Sequence, residues 1–270
     1  MEFEVLMSVY QGESADSLNE SLSSLVRQTL APQTVVLVED GPLSQSLTDI
    51  IEAYRNRLNI LSIPLPTNQG LPVALNAGLS KCTCEWIARF DSDDICLPER
   101  FEKQMQFVTL NPQIDVLGAQ IEEFEMLGHK HRVRQVPTNH DEIAHFAQKR
   151  NPMNHMTVLY RRKKVLEVGG YPSLTGFEDY GLWIKLIQAR AKFHNLAEVL
   201  VYARVNGAFI SRRGGYKYFY HELKALSFFH SSGFLSRSRF ITNLLLRSLV
   251  RIAPESLRSI LYRQLRKTSA

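Results

Sequence analysis

No uninterrupted apolar run in this chain approaches the ~18 residues that a membrane-spanning helix needs. The opening Met1-Glu2-Phe3-Glu4-Val5-Leu6-Met7 has neither a basic n-region nor a long apolar core, so it reads as the start of a folded domain and not as a secretory leader. Cysteine is scarce. An odd set of three, Cys82, Cys84 and Cys96, with no framework spacing, argues against a disulfide-stapled secreted domain. Cys-x-Cys is also two ligands short of a structural zinc site. Free thiols in a reducing cytosol are the expectation. Both Gly-x-Gly-x-x-Gly and the Walker phosphate loop are missing, so neither nicotinamide binding nor ATP hydrolysis is signalled.

Acid is what the C-terminal part lacks. Residues 211–270 hold 12 Lys/Arg against Glu222 and Glu255, a balance of +10, while residues 1–210 carry 20 basic and 25 acidic residues, a balance of −5. The net charge of +5 hides this asymmetry, which predicts that the tail meets an anionic surface. Ile241, Leu245, Leu249 and Ile252 fall on one helical face, and Arg239, Asn243, Arg247 and Arg251 on another. After Pro254, Leu257, Ile260, Leu261 and Leu265 resume the stripe beside Arg258, Arg263, Arg266 and Lys267. Basic amphipathic helices of this kind lie in membrane interfaces. The bland alternative is a helix pair packed on the body with solvated arginines. Few aromatics interleave with these arginines and no recognition-module signature occurs, so nucleic acid is not the expected partner.

What is present is length and alternation. In 270 residues, 44% of them hydrophobic, there is room for a sizeable α/β core. Strands are predicted at Phe3–Tyr10, Val35–Val38, Asn59–Leu65 and Trp86–Phe90. Helical stripes lie between them: Leu18, Leu22, Leu25 and Val26, then Leu47, Ile50, Ile51, Tyr54 and Leu58, then a short helix near 72–81. Another helix opens at Leu97-Pro98-Glu99-Arg100. Repeated βα units predict a parallel, doubly wound sheet. Past about residue 112 the alternation weakens; strands are expected at 115–119, 156–160 and 199–205, and a helix at 178–189. Loose boundaries fall near 110 and 210.

The sharpest chemical signal is Asp91-Ser92-Asp93-Asp94, three carboxylates directly after an apolar strand. Like charges this close repel unless a cation or hydrogen-bond donors offset them. Mg²⁺ typically takes one or two carboxylates together with substrate phosphates, so a metal–diphosphate site is the first hypothesis. Tyr10-Gln11-Gly12-Glu13, Glu39-Asp40-Gly41 and Asn68-Gln69-Gly70 follow the other three strands. In a parallel sheet all four ends share one edge and can line one crevice. Gly70 opens a glycine-bounded helix entry that runs to Gly78, and helix N-termini favour phosphate. Farther on, Glu178-Asp179 at a helix start read either as partners of the helix dipole or as a general base. His155, in Asn151-Pro152-Met153-Asn154-His155-Met156-Thr157, reads as a structural histidine or as a metal, phosphate or acceptor ligand.

Taken together and in order, residues 3–10, 38–41, 68–78, 86–94 and 169–187 resemble the motif blocks of glycosyltransferase family 2, the inverting nucleotide-sugar transferases of the GT-A fold. Asp-Asp-Ile-Cys-Leu-Pro-Glu-Arg-Phe (residues 93–101) and Arg-Asn-Pro-x-Asn-His-Met-Thr-Val (150–158) look like those of bacterial, amylovoran-type enzymes that build O-antigen or exopolysaccharide repeat units. The resemblance implies a GT-A, Rossmann-like, mostly parallel sheet flanked by helices. Residues 1–110 would be its nucleotide-sugar-binding half, 111–210 its acceptor-binding and catalytic half, and 211–270 a basic helical tail. It implies a UDP-sugar site of Val9, Tyr10, Glu13, Asp40, Asn68, Gly70, Asn76, Arg89, Asp91 and Ser92, with Asp40 on the uracil or ribose. Mn²⁺ or Mg²⁺ would sit on Asp93, with Asp91 and Asp94. Asp179, with Glu178 as the alternative, would be the base, and His155 and Trp183 possible acceptor or metal contacts. Leu75 stands where many members carry Arg, and Gly181 where many carry a further acid. The implied acceptor is a sugar on polyprenyl diphosphate, reached by a protein held on the cytoplasmic face of the bacterial inner membrane through residues 235–267. Two readings compete: a metal-dependent phosphatase or nucleotidyltransferase using the same acids, and a non-enzymatic membrane-surface binding protein.

Overall fold

A computed structural model describes residues 2–125, 132–205 and 215–252, with side chains described to residue 248. The expected stripe at 257–267 and the boundary near 210 lie outside the described residues.

The four strands of the first hundred residues form where apolar runs meet turn residues. They are β1 (Phe3–Val9), β2 (Thr34–Glu39), β3 (Ile60–Pro64) and β4 (Trp86–Arg89). They pair in parallel in the order β3-β2-β1-β4. Both faces of the central strands are covered, which is why they read as continuous apolar runs and not as alternation. Phe3, Val5, Met7 and Val9 point into one core and Leu6 into the other; Val35 and Leu37 divide from Val36 and Val38 in the same way.

On the first face pack α1 (Ala15–Val26), α2 (Gln45–Tyr54) and α4 (Arg100–Leu110). On the second pack α3 (Leu71–Lys81), α6 (Arg162–Glu167) and α7 (Glu178–Gln188), with Ile143 of α5 (His140–Phe146). Helix starts follow the capping chemistry: the Ser14, Ser44 and Asn139 side chains accept N–H groups of the first turns, each worth about 1 kcal/mol. Pro72 sits in the first turn of α3, where a missing N–H costs nothing.

Beyond α4 the sheet continues without a break, but its direction changes. β8 (Leu159–Arg161) adds antiparallel to β4, and β6 (Val116–Phe124) antiparallel to β8. β9 (Phe193–Arg204) runs parallel to β6, with register shifts near Gln120, while β5 (Ile95–Cys96) and β7 (Arg132–Arg134) pair antiparallel with β9 and β6. The expected parallel sheet is thus the β3-β2-β1-β4 half, and a mixed half carries it on. The strand expected at 156–160 begins later, after a 3₁₀ turn at His155–Thr157. That turn falls on the same sheet edge as the end of β4, because β8 runs against β4 with Ala88 opposite Leu159.

A third cluster joins Phe177, just before α7, and Tyr180 and Ile184 of α7 to α8 (Gly215–Ser231) and α9 (Arg237–Ile252). Helix α7 is therefore buried on two sides, with Leu182, Trp183 and Leu186 facing the sheet. Among the described residues, no helix is long and apolar enough to cross a membrane.

Candidate active site

The parallel half of the sheet delivers the ends of β1 to β4 to one edge, and the loops there are tied to one another by specific bonds. After β1, Tyr10 is half exposed and Gly12 lies beneath its ring. Glu13 reaches across to the loop after β4: Ser92 Oγ donates to Glu13 Oε2 at 2.8 Å. Ser92 therefore links two loops. Val9 is wholly buried, and its carbonyl accepts the Asp40 N–H at 2.8 Å.

Asp40, 4% exposed, closes the loop after β3. Its two oxygens accept the N–H groups of Gln69 (2.7 Å) and Gly70 (3.0 Å). The approach is close enough that a Cβ on Gly41, at φ +88°, would meet the Asn68 nitrogen at 2.6 Å; glycine is needed there both for space and for backbone conformation. Asn68 itself is exposed. Asp40 thus sets the entry of α3. Asn76, expected on the nucleotide-sugar, instead clamps the chain near the base. Its Nδ2 donates to the Tyr171 carbonyl (2.9 Å) and its Oδ1 accepts the Tyr171 N–H (2.8 Å). A Cβ on Gly170, also at positive φ, would collide with that same Oδ1.

The three aspartates after β4 separate into different roles. Asp91 is half-buried and paired with the Nη2 of Arg89. Asp94 is 2% exposed, and its Oδ1 accepts the Arg204 N–H at 2.8 Å. Expected among the metal ligands, it is a buried anchor for the loop. Arg204, at the end of β9, also donates to the Asp93 carbonyl (3.0 Å) and pairs with Glu20. Asp93 is left as the carboxylate best placed to take a cation. Burial, then the charges of Asp91 and Glu13, push its carboxyl up to about 7, and a nearby cation would favour its charged form. One or two carboxylates suit Mg²⁺ or Mn²⁺ when a diphosphate supplies further oxygens.

Behind these acids lie two wholly buried guanidinium groups. Arg100 donates to the Arg89 carbonyl at 2.8 Å and lies over the rings of Phe90 and Phe101. Arg89 is expected on the nucleotide-sugar, yet it is fully buried, and its Nε and Nη1 find no partner. Burial works against its charge, but Asp91, Tyr171 and Asp94 outweigh it and hold the guanidinium above its ordinary range. The same cation bears on Glu178 and His155. It is a hub between the strand-end acids and the start of α7.

At that start, Glu178 is buried and Asp179 half-buried. Burial and the neighbouring Asp179 push the Glu178 carboxyl up to about 7. Asp179 is oriented on both oxygens: Oδ1 accepts the Tyr180 N–H (2.7 Å) and Oδ2 accepts from Asn151 Nδ2 (2.6 Å). A half-buried, oriented carboxylate suits a general base better than its buried neighbour does. His155 and Trp183, expected as possible acceptor or metal contacts, both lie in the interior. His155 is buried, 3.2 Å from the Tyr171 hydroxyl, and edge-on to Trp183. Burial, then Arg89, holds its pKa well below the ordinary value, so it is neutral. Trp183 is 0% exposed and packs in the core. Sequence reading misses Asn151, Arg204, Arg100 and Tyr171 as parts of this site. The apolar run at 199–203 before Arg204 offers the one available signal, a lone arginine at the end of a buried strand.

The family model described as Glycosyl transferase family 2 matches residues 4–170. The amylovoran biosynthesis glycosyltransferase AmsE of Erwinia amylovora is 37% identical over 268 residues, covering 98% of this chain and 99% of its own. The UDP-Gal:alpha-D-GlcNAc-diphosphoundecaprenol beta-1,3-galactosyltransferase of Escherichia coli is 36% identical over 263 residues, covering 97% and 95%. Among solved structures, S. aureus TarS 1–349 in complex with UDP-GlcNAc matches with a TM-score of 0.69 at 22% identity, over 93% of this chain and 74% of that one. This chain spans 44% of a longer TarS chain. A mannosyltransferase from Pyrobaculum calidifontis, PcManGT, in complex with GDP-Man and Mn2+, matches at 0.65 and 13%, over 92% and 69%. At these identities the structures establish the fold, a GT-A-type α/β architecture.

Proposed function

The chain belongs to glycosyl transferase family 2 and is a glycosyltransferase, and from that premise we propose that it moves a hexose or N-acetylhexosamine from a UDP-sugar to a sugar carried on polyprenyl diphosphate, with inversion at the anomeric carbon, during bacterial surface-polysaccharide synthesis. One arrangement supports the reading: the buried Arg89 guanidinium acts on the acids that follow β4 and on Glu178 at the start of α7, beside an Asp179 carboxylate that Asn151 orients. The donor and acceptor classes are supported by the printed activity of the E. coli relative.

In this proposal the loops after β1, β2 and β3 hold the nucleoside, with Asp40 fixing their arrangement. Asp93 would hold Mn²⁺ or Mg²⁺, which would offset negative charge on the departing UDP as a Lewis acid. Asp179 takes the proton of the acceptor hydroxyl, whose oxygen attacks the anomeric carbon from the side opposite UDP. The bond from that carbon to the diphosphate oxygen breaks, and UDP leaves with the electron pair. An α-linked donor then gives a β-linked product. Holding donor and acceptor in line supplies much of the acceleration. The phosphatase reading has little support, since a nucleophilic Asp-x-Asp belongs after the first strand, where Tyr10-Gln11 stand.

The acceptor's lipid places the reaction at a membrane, and we extend the proposal to an anionic cytoplasmic surface met by α9. Ile241, Leu245 and Leu246 are 45%, 61% and 60% exposed, beside the exposed Arg237.

The test is a panel of radiolabelled UDP-sugars against a synthetic lipid-diphosphate-GlcNAc, with and without Mn²⁺. Transfer from at least one donor is expected. Asp93→Ala and Asp179→Asn are each expected to lower the rate by about 10²-fold or more while folded. No transfer from any UDP-sugar overturns the class of donor. Near-normal transfer by both variants overturns the residue roles.

A further inference from the structure

We propose that Asn151 is a positioning residue that aims the Asp179 carboxylate and holds it in its proton-accepting form. The inference rests on the reading of Asp179 as the base. Asn151 precedes Pro152 in a turn far from α7 in sequence, and its amide is fixed at both ends. Its Oδ1 accepts the Met153 N–H at 3.2 Å, which leaves Nδ2 pointed at Asp179 Oδ2, 2.6 Å away. With the Tyr180 N–H on the other oxygen, two donors set the plane of the carboxylate. Donors to a charged carboxylate favour that form over the protonated one.

The turn that presents Asn151 is itself held. Three successive carbonyls past the end of α5 are taken by side chains: Ala147 by Tyr180 Oη (2.6 Å), Gln148 by Asn243 Nδ2 (2.8 Å) and Lys149 by Arg247 Nη2 (2.5 Å). Orphan carbonyls at a helix end need such partners. Here they fix the position from which Asn151 donates. The residue after the base, Tyr180, grips the same turn, so the two ends of the Asn151–Asp179 bond are braced against each other.

Among the described residues, titratable groups that interact with Asp179 include Glu178 and Tyr180 on its own helix and Tyr171 from the preceding loop, while Arg89 of β4 bears on Glu178 and Tyr171. Glu178 and Asp179 repel when both are ionised, so a donor on Asp179 has a definite task.

The experiment uses the whole chain, a UDP-sugar donor and the lipid-diphosphate sugar acceptor, with melts to confirm folding. Asn151→Ala is expected to lower kcat by roughly 10- to 100-fold, with the KM for donor within about twofold, and to move the acid limb of the kcat profile to higher pH. Asn151→Asp, which sets a like charge against the base, is expected to move that limb further. Asn151→Ser, small and still able to donate, recovers part of kcat and returns the limb towards wild type. An unmoved acid limb in the folded variants overturns the proposal. Asp179→Asn is measured alongside: if it keeps its kcat, the base assignment fails, whereas its loss together with an unmoved limb in the Asn151 series defeats this inference alone.

Discussion

A charged residue in a protein interior is expensive unless it is paired, and this site places several together. Arg89 sits with no exposure between Asp91 and Asp94 on one side and Glu178 on the other. Glu178 illustrates the cost. Its carboxyl, ordinarily near 4.5, is pushed up to about 7 by burial and by Asp179. Between those two values the native chain holds a proton that the unfolded chain has released. Stability therefore falls as pH rises through this window, and the penalty is complete above about 7. Glu178→Gln keeps an oxygen for the backbone donors of the first turn and removes the titration. Thermal melts should show a gain on the order of 5 °C at pH 8, dwindling to nothing near pH 4.5. An equal gain at both ends of the range would mean that the buried charge is not the source. The acids after β4 were visible in the sequence because charge that follows an apolar strand is a local pattern. The division of labour among them was not. Asp94 turns inward because Arg204, 110 positions later, offers its N–H, and no local pattern encodes such a pair.

At the scale of elements, legibility tracks how much of a segment is buried, and on which sides. β1, β2 and β4 were readable because both their faces are covered, and α1 and α2 because their stripes are regular. The two-residue β5 and three-residue β7 carry too little pattern to be read, and α5 buries only Ile143. Helix α9 was legible as a helix but not in its orientation. Its periodicity marks Ile241 and Leu245 as an apolar face and Arg239, Asn243 and Arg247 as a polar one. The body takes the polar side. Phe240 and Leu244 join the third core cluster, Asn243 is buried, and Arg247 reaches the buried Glu222 at 2.9 Å. Ile241, Leu245 and Leu246 are left outward. Arg247 and Asn243 are thus held against the body while Ile241, Leu245 and Leu246 stay exposed, an arrangement that fits the proposed contact with a membrane surface. Leu245→Glu with Leu246→Glu should leave the melting temperature within about 2 °C, since exposed positions carry little stability, yet reduce co-sedimentation with anionic vesicles several-fold. Unchanged vesicle binding would remove α9 from the membrane contact.

Across the whole molecule, the acidic body and basic tail are joined at the point where the chemistry is proposed to occur. Arg247 donates to Glu222 Oε1 of α8 and to the Lys149 carbonyl, two residues before Asn151. The first bond is a buried ion pair and the second orders a turn, so one side chain serves stability and function by separable routes. Arg247→Met takes a cation from a carboxylate that is 2% exposed, and removing one partner of a buried pair costs about 3 kcal/mol. Glu222→Met with Arg247→Met replaces both charges by apolar groups, and exchanges of that kind are often neutral or better. The double variant should therefore melt near wild type. It still cannot donate to Lys149, so the turn that carries Asn151 loses one of its three braces. If that turn positions the base, the restored double variant keeps a reduced kcat, by roughly threefold to tenfold, with KM little changed. Melts and steady-state kinetics on the two variants and the parent decide it. Recovery of stability and kcat together would show that the tail supports the body as a whole; recovery of stability alone would show that the C-terminal helices act on the turn beside Asp179 through a single arginine.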